Sequence, residues 1–144
     1  ALPICSVLTD VDTWQGSDEE AHHPMDFSDV ERVYDSKVGD YRNVIKVKMA
    51  SQNYLITSDE KDYYDFIYID GDHTADAVFK DASLSWRALK PGGIMAFDDY
   101  TWGPELPMHL RPQPAIDLFV TLMKDHIDLI RTGPQVWIRK RFTT

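Results

Sequence analysis

The sequence predicts an α/β fold with a doubly wound, mostly parallel sheet, and three observations support this prediction. Apolar, strand-like segments alternate with amphipathic helical segments along most of the chain. The clearest strands end abruptly at acidic residues. Near the C-terminus, Thr132-Gly133-Pro134 separates two strand-like segments in the manner of a hairpin, which adds one antiparallel strand. With 144 residues, 43% of them hydrophobic, and no repeat or linker, residues 1–144 are interpreted as a single domain.

The individual elements follow from apolar periodicity and from the residues that start and stop helices. A capping box formed by Ser28 and Glu31 predicts a helix that ends at Gly39. Thr74 is expected to cap the next helix, and Lys90-Pro91-Gly92-Gly93 to break it. A further helix carries Ile116, Phe119, Val120 and Met123. Strands are expected at Ile4–Leu8, Val44–Met49, Tyr64–Ile69, Ile94–Phe97, Ile127–Ile130 and Val136–Phe142.

Charge and cysteine content exclude some functions. The formal net charge of −9 argues against nucleic acid or an anionic membrane as the main partner, because binding to phosphates depends on basic surface. No apolar run approaches the ~18 residues that a membrane span needs. The single cysteine, Cys5, rules out a disulfide within the chain and fits a cytoplasmic protein.

Acidic residues follow three of the predicted strands. The first strand runs into Asp10 and Asp12, the central one into Asp70-Gly71-Asp72-His73, and the next into Asp98-Asp99. Ligands of open α/β sheets bind outside the carboxyl ends of the strands, where these side chains can converge. Carboxylates that share a cleft need a cation, and Mg²⁺ suits an all-oxygen site. Each aspartate alone would also fit a helix cap or a turn.

Three segments together resemble a known family. They are Tyr64-Asp65-Phe66-Ile67-Tyr68-Ile69-Asp70-Gly71-Asp72-His73, Leu89-Lys90-Pro91-Gly92-Gly93-Ile94 and Phe97-Asp98-Asp99-Tyr100. At this spacing they resemble class I S-adenosylmethionine-dependent methyltransferases. The nearest group is the cation-dependent small-molecule O-methyltransferases of the catechol, caffeoyl-CoA and macrolide-sugar type. The resemblance implies a Rossmann-like sheet and covers roughly Val7 to Arg141.

The resemblance also implies roles for individual residues. Asp70, Asp98 and Asp99 match the metal ligands, Asp72 matches a proposed general base, and His73 lies where the catechol enzymes place a basic residue. The cofactor-binding set comprises Asp12 for the ribose hydroxyls, Ser51 and Gln52 for the adenine, Trp14 near the expected mouth of the site, and Asp70. The implied activity is methyl transfer from S-adenosylmethionine to a hydroxyl of a small-molecule acceptor, assisted by Mg²⁺.

One departure from the family pattern keeps other interpretations open. No Gly-x-Gly segment lies upstream of Asp12, so we expect the family's first strand and glycine-rich loop to be missing. An interrupted sheet of this kind favours self-association into a homo-oligomer. One alternative is a metal-dependent nucleotide-sugar glycosyltransferase, since Asp70-Gly71-Asp72 has the Asp-x-Asp form. Another is a degenerate methyltransferase-like domain that serves as a binding or assembly module.

Overall fold

The computed structural model describes residues 7–16 and 26–142, and these residues form an α/β structure. They divide into two compact units, Ala1–Tyr54 and Leu55–Thr144. The strands are β1 (Leu8–Asp12), β2 (Val44–Lys48), β3 (Tyr64–Ile69), β4 (Leu89–Phe97), β5 (Ile127–Arg131) and β6 (Val136–Lys140). The helices are α1 (Phe27–Val38), α2 (Ser51–Thr57), α3 (Ala75–Ser85) and α4 (Gln113–Met123), with a 3₁₀ turn at Met108–Leu110.

In the first unit, β1 and β2 pair in parallel, from Leu8 opposite Val44 to Asp12 opposite Lys48. β1 extends to Asp12, beyond the predicted end at Leu8, because the ladder with β2 continues through the polar residues that follow the apolar run. Residues 4–6 of the predicted strand lie outside the described residues. Residues 1–6, which include Cys5, lie outside the described residues, as do His22 and His23.

The start of α1 differs from the prediction, although the helix itself is confirmed. Asp26 is the N-cap, and its carboxylate accepts a hydrogen bond from the Ser28 N–H at 3.0 Å. Ser28 therefore lies inside the first turn rather than at the cap. Aspartate caps a helix as well as serine does, and Asp26 here takes the role predicted for Ser28.

The second unit contains a four-stranded sheet in the order β3-β4-β6-β5. β3 and β4 are parallel, whereas β6 lies between β4 and β5 and is antiparallel to both. The predicted parallel arrangement with one antiparallel strand from the closing hairpin is confirmed. Within the described residues no ladder joins this sheet to the β1–β2 pair.

One face of the second sheet packs against α3 and α4. The largest fully buried side chains of this core are Phe97, Leu89, Met95, Ile116 and Ile138. α3 begins as predicted, because the Thr74 side chain accepts a hydrogen bond from the Ala77 N–H. The Lys90–Gly93 segment was predicted to break this helix, but α3 already ends at Ser85. That segment lies inside β4, where the pairing with β3 shifts register.

Lys140, the last residue of β6, has a structural role in this unit. Its ammonium group donates to the carbonyl oxygens of Trp86 and Leu89, at 3.1 and 2.6 Å, and lies 4.9 Å from the centre of the Trp86 ring. It therefore satisfies two backbone carbonyl groups in the segment that joins α3 to β4.

The helices of the described segments are short. α1 has 12 residues, and α3 and α4 have 11 each. A membrane-spanning helix needs about 20 mostly apolar residues. In this part of the chain, none of the helices has the length and apolar character for crossing a bilayer.

Candidate active site at the carboxyl ends of β3 and β4

The two predicted acidic segments of the second unit follow directly after neighbouring parallel strands. Ile69, the last residue of β3, lies opposite Phe97, the last residue of β4. The Asp98 N–H donates to the Ile69 carbonyl at 3.0 Å, which continues the pairing by one residue. The segments that start at Asp70 and Asp98 therefore leave the sheet side by side, as the sequence predicted.

Asp70, His73 and Asp99 form a cluster at this edge. Each offers one ligand atom, and these three atoms lie within 4.8 Å of one another. His73 Nε2 is 2.9 Å from Asp99 Oδ2, and the His73 ring lies against Trp102, with 4.5 Å between ring centres. The imidazole is thus held from two sides, and only 17% of its side chain is exposed.

The backbone turns sharply at Asp99. This residue has a φ of 53°, in the left-handed region that aspartate and asparagine enter more readily than most residues. Its N–H donates to Asp98 Oδ1 at 2.9 Å, and the next N–H, that of Tyr100, donates to the Pro134 carbonyl at 2.9 Å. The turn sends two adjacent carboxylates to different partners, Asp99 to His73 and Asp98 to a second group of residues.

That second group consists of Tyr68, Gln135 and Trp137. The Tyr68 hydroxyl donates to Asp98 Oδ2, and the Gln135 amide donates to Asp98 Oδ1 at 3.1 Å. Burial alone would raise the pKa of Asp98, but the hydrogen bonds from Tyr68, the Asp99 N–H and Gln135 outweigh it and lower that pKa. The same bond to Asp98 raises the pKa of Tyr68 well above its usual value. Asp98 is therefore an ionised acceptor, and the described cluster of three ligand atoms does not include it.

Asp72, the predicted general base, is exposed and lies just before α3. Its Oδ1 accepts a hydrogen bond from the Thr74 N–H at 2.7 Å, so the side chain shapes the turn that leads into the helix. Its role in proton transfer stays a prediction.

The predicted cofactor residues Asp12 and Trp14 belong to the first unit. Asp12 is exposed, and its Oδ1 accepts from the Trp14 N–H at 2.7 Å. Trp14 has a φ of 52° and is only 7% exposed, since its ring packs against Tyr34 and beneath the Lys46 ammonium, 4.5 Å away. Asp12 therefore both ends β1 and fixes a strained turn. Its neighbour Asp10 is bound instead by the Tyr34 hydroxyl.

Ser51 and Gln52, the predicted adenine contacts, open the short helix α2 rather than lying in a turn. Sequence reasoning missed this helix because seven residues carry too weak a periodicity. The cofactor roles of these two residues, like those of Asp12 and Trp14, remain predictions.

The sequence matches a known protein family over the span that contains this site. A family model described as a methyltransferase domain matches residues 3–100, which is more than half of the chain. The chain belongs to this methyltransferase family. The matched span contains all the predicted site residues, from Asp12 to Asp99. No curated protein matches the sequence significantly.

Several solved structures with the same fold are methyltransferases. The O-methyltransferase NovP superposes with a TM-score of 0.67 at 17% identity, over 94% of this chain and 60% of NovP. A SAH-bound methyltransferase of Podospora anserina, PaMTH1, gives 0.57 at 20%, over 94% and 60% of the two chains. MycE of the mycinamycin biosynthetic pathway, in complex with Mg and SAH, gives 0.59 at 15%, over 94% and 45%. At these low identities the superpositions show a shared Rossmann-like fold. The chain spans less than two thirds of the length of each of these proteins.

Two site residues of this methyltransferase domain were missed in the sequence. Tyr68 was assigned to the predicted β3 only as a strand residue, and Gln135 was not singled out at all. Gln135 reaches Tyr68 across 67 positions of sequence, and only the placement of β6 beside β4 brings them together. No local signal could have found that pair.

Proposed function

We propose that this chain catalyses methyl transfer from S-adenosylmethionine to a hydroxyl group of a small molecule, assisted by a divalent metal ion. The observation that carries the proposal is the cluster of Asp70, His73 and Asp99 at adjacent strand ends of a methyltransferase domain. PaMTH1 and MycE supply further support, because both were solved with SAH and MycE also with Mg.

The donor set of the cluster fits a divalent ion. Two carboxylates supply the negative charge that such an ion needs, and the three ligand atoms all lie within 4.8 Å of one another. Two ligands on opposite sides of Mg²⁺ are about 4.2 Å apart, twice the ~2.1 Å metal–oxygen distance, so small side-chain rotations suffice. Carboxylate oxygens suit Mg²⁺, whereas imidazole nitrogen suits transition metals better. With Mg²⁺ we therefore assign Asp70 and Asp99 as ligands, joined by Asp98, and leave His73 available for another role.

We assign that role as proton transfer from the acceptor hydroxyl. A bound divalent ion would make the hydroxyl easier to deprotonate. Of the two candidate bases, His73 is better placed than Asp72. Asp99 orients its imidazole and would stabilise the protonated ring, while Trp102 fixes the plane of the ring. Because most of the His73 side chain is shielded from solvent, water competes little with the acceptor hydroxyl for the imidazole.

For the cofactor, we propose that Asp12 binds the ribose hydroxyls. A carboxylate can accept hydrogen bonds from both hydroxyls of one sugar, and the exposed position of Asp12 leaves it accessible. We further propose that Ser51 and Gln52 bind the adenine edge and that Asp70 contacts the methyl donor. Trp14 supports Asp12 through the turn that the two residues share.

The cofactor proposal is tested by replacing Asp12 with asparagine. Asp12→Asn keeps an oxygen for the Trp14 N–H but removes the charge, so the turn should persist while ribose binding weakens. We expect affinity for S-adenosylhomocysteine, measured by isothermal titration calorimetry, to fall roughly 10- to 100-fold, since hydrogen bonds to a charged group contribute about 1.5–3 kcal/mol.

A matched control is available in the same unit. Asp29→Asn removes a carboxylate whose exposed ion pair with Arg32 lies on the surface of α1, so it should leave the affinity unchanged. Equal affinity of wild type and Asp12→Asn would refute the role of Asp12. No heat of binding for any variant would instead refute cofactor binding by this chain.

A further inference from the structure

The hydrogen bonds around Asp98 run in a fixed order from donor to acceptor. The Trp137 indole N–H donates to Gln135 Oε1 at 3.1 Å, and an indole N–H can only donate. Gln135 must therefore turn its oxygen towards Trp137 and its NH₂ group towards Asp98 and Tyr68. The orientation of the Gln135 amide is therefore fixed, because the indole N–H needs an acceptor and Asp98 needs a donor.

The NH₂ group of Gln135 bridges two strands. It donates to the Tyr68 hydroxyl of β3 and to Asp98 Oδ1 at the end of β4, each at 3.1 Å. Because the Tyr68 oxygen accepts this bond, its own hydrogen is directed to Asp98 Oδ2. Gln135 thus affects the hydrogen bonds of both Asp98 oxygens. It donates to Oδ1 directly, and it directs the Tyr68 hydroxyl towards Oδ2.

These donors restrict what Asp98 can still bind. A carboxylate has about four lone-pair positions. Among the described residues, Gln135 and the Asp99 N–H use two of them on Oδ1, and Tyr68 uses one on Oδ2. One lone-pair position is left, on Oδ2. Asp98 can therefore bind one further group, through that lone pair alone.

We propose that Gln135 is a positioning residue of the active site, which orients the Asp98 carboxylate so that its remaining lone pair faces a bound divalent ion. This inference rests on the proposed function, since it assumes that the ion binds at the ends of β3 and β4. Residues that hydrogen-bond to metal ligands commonly change metal affinity 10- to 100-fold when they are replaced. Gln135 has this role although it lies in the turn directly before β6, outside the strands that precede the acids.

The indole N–H groups of the chain give a readout that does not depend on activity. Trp102 lies against His73 and reports on the cluster, Trp137 reports on Gln135, and Trp86 packs in the core as an internal reference. In a Mg²⁺ titration followed by ¹H–¹⁵N correlation spectra, we expect the Trp102 and Trp137 signals to shift together and the Trp86 signal to stay in place.

The decisive variant is Gln135→Met, which keeps the length of the side chain but removes both polar groups. We expect the Mg²⁺ concentration at half-saturation to rise about 10-fold, with the melting temperature nearly unchanged. Gln113→Met removes the same groups from a glutamine that donates to Tyr100 instead, and it should leave the half-saturation unchanged. In the Asp98→Ala background, Gln135→Met should have no additional effect, because the carboxylate that it orients is gone.

The outcomes separate this inference from the function on which it rests. If Mg²⁺ shifts Trp102 with the same half-saturation in wild type and Gln135→Met, the metal site stands and the positioning role is refuted. An effect of Gln135→Met that persists in the Asp98→Ala background would also refute it. If no indole signal responds to Mg²⁺, the metal part of the proposed function is refuted and the positioning role with it.

Discussion

Asp99→Asn is expected to weaken Mg²⁺ binding about 100-fold or more, because it removes one of the charges on which affinity for a hard cation depends. The fold should be retained, since asparagine tolerates the left-handed conformation of residue 99 and keeps a side-chain oxygen for His73. Metal affinity can be measured by calorimetry and the melting temperature by circular dichroism.

Two further variants make this result specific. Asp65→Asn removes a carboxylate of β3 that is 84% exposed and bound to Lys90, so Mg²⁺ affinity should not change. Asp99→Gly removes the side chain and relieves the positive φ, so it should be at least as stable as wild type and still fail to bind the ion. Wild-type affinity in Asp99→Asn would show that this aspartate is not a ligand.

Phe97→Ala is expected to destabilise the second unit by about 3–5 kcal/mol, because it leaves a cavity in the core beneath the site. The Phe97 side chain is fully buried, and its ring meets Phe119 of α4 edge to face, with 5.8 Å between ring centres. Since Phe97 directly precedes Asp98, the cavity lies at the base of the acidic segment. Urea unfolding measures the loss of stability.

Leu129→Ala is the control for that prediction. Leu129 belongs to β5 of the same sheet, but 53% of it is exposed, so its truncation leaves little cavity. We expect a loss below about 1 kcal/mol, in line with surface substitutions. A similar loss in both variants would contradict the assignment of Phe97 to the central core.

The parts of the fold that the sequence predicted well have strong local signals. β3 was predicted with its observed bounds, Tyr64–Ile69, because a dense apolar run stops at Asp70. Thr74 was identified as a cap because its side chain bonds within its own helix turn. The predicted gathering of acids at strand ends also followed from topology, since parallel neighbours place their carboxyl ends at one edge.

The missed features depend on geometry that is not local. Asp98 and Asp99 carry the same sequence signal, yet the left-handed turn at Asp99 gives them different partners. His73 was assigned as a base, but its approach to Asp99 depends on where the ends of β3 and β4 meet. Gln135 and Tyr68 become partners only through the strand order of the sheet, which no nearby residues encode.

The central claim is metal-assisted methyl transfer, and one assay tests it most directly. The chain is incubated with S-adenosylmethionine labelled in its methyl group and with a panel of sugar, phenol and polyketide hydroxyl acceptors, in Mg²⁺ or in excess chelator. We predict label transfer to at least one acceptor in Mg²⁺, loss of that transfer in chelator, and recovery when Mg²⁺ is restored. Undiminished transfer in chelator, or no transfer to any acceptor by protein that binds S-adenosylhomocysteine, would contradict the claim.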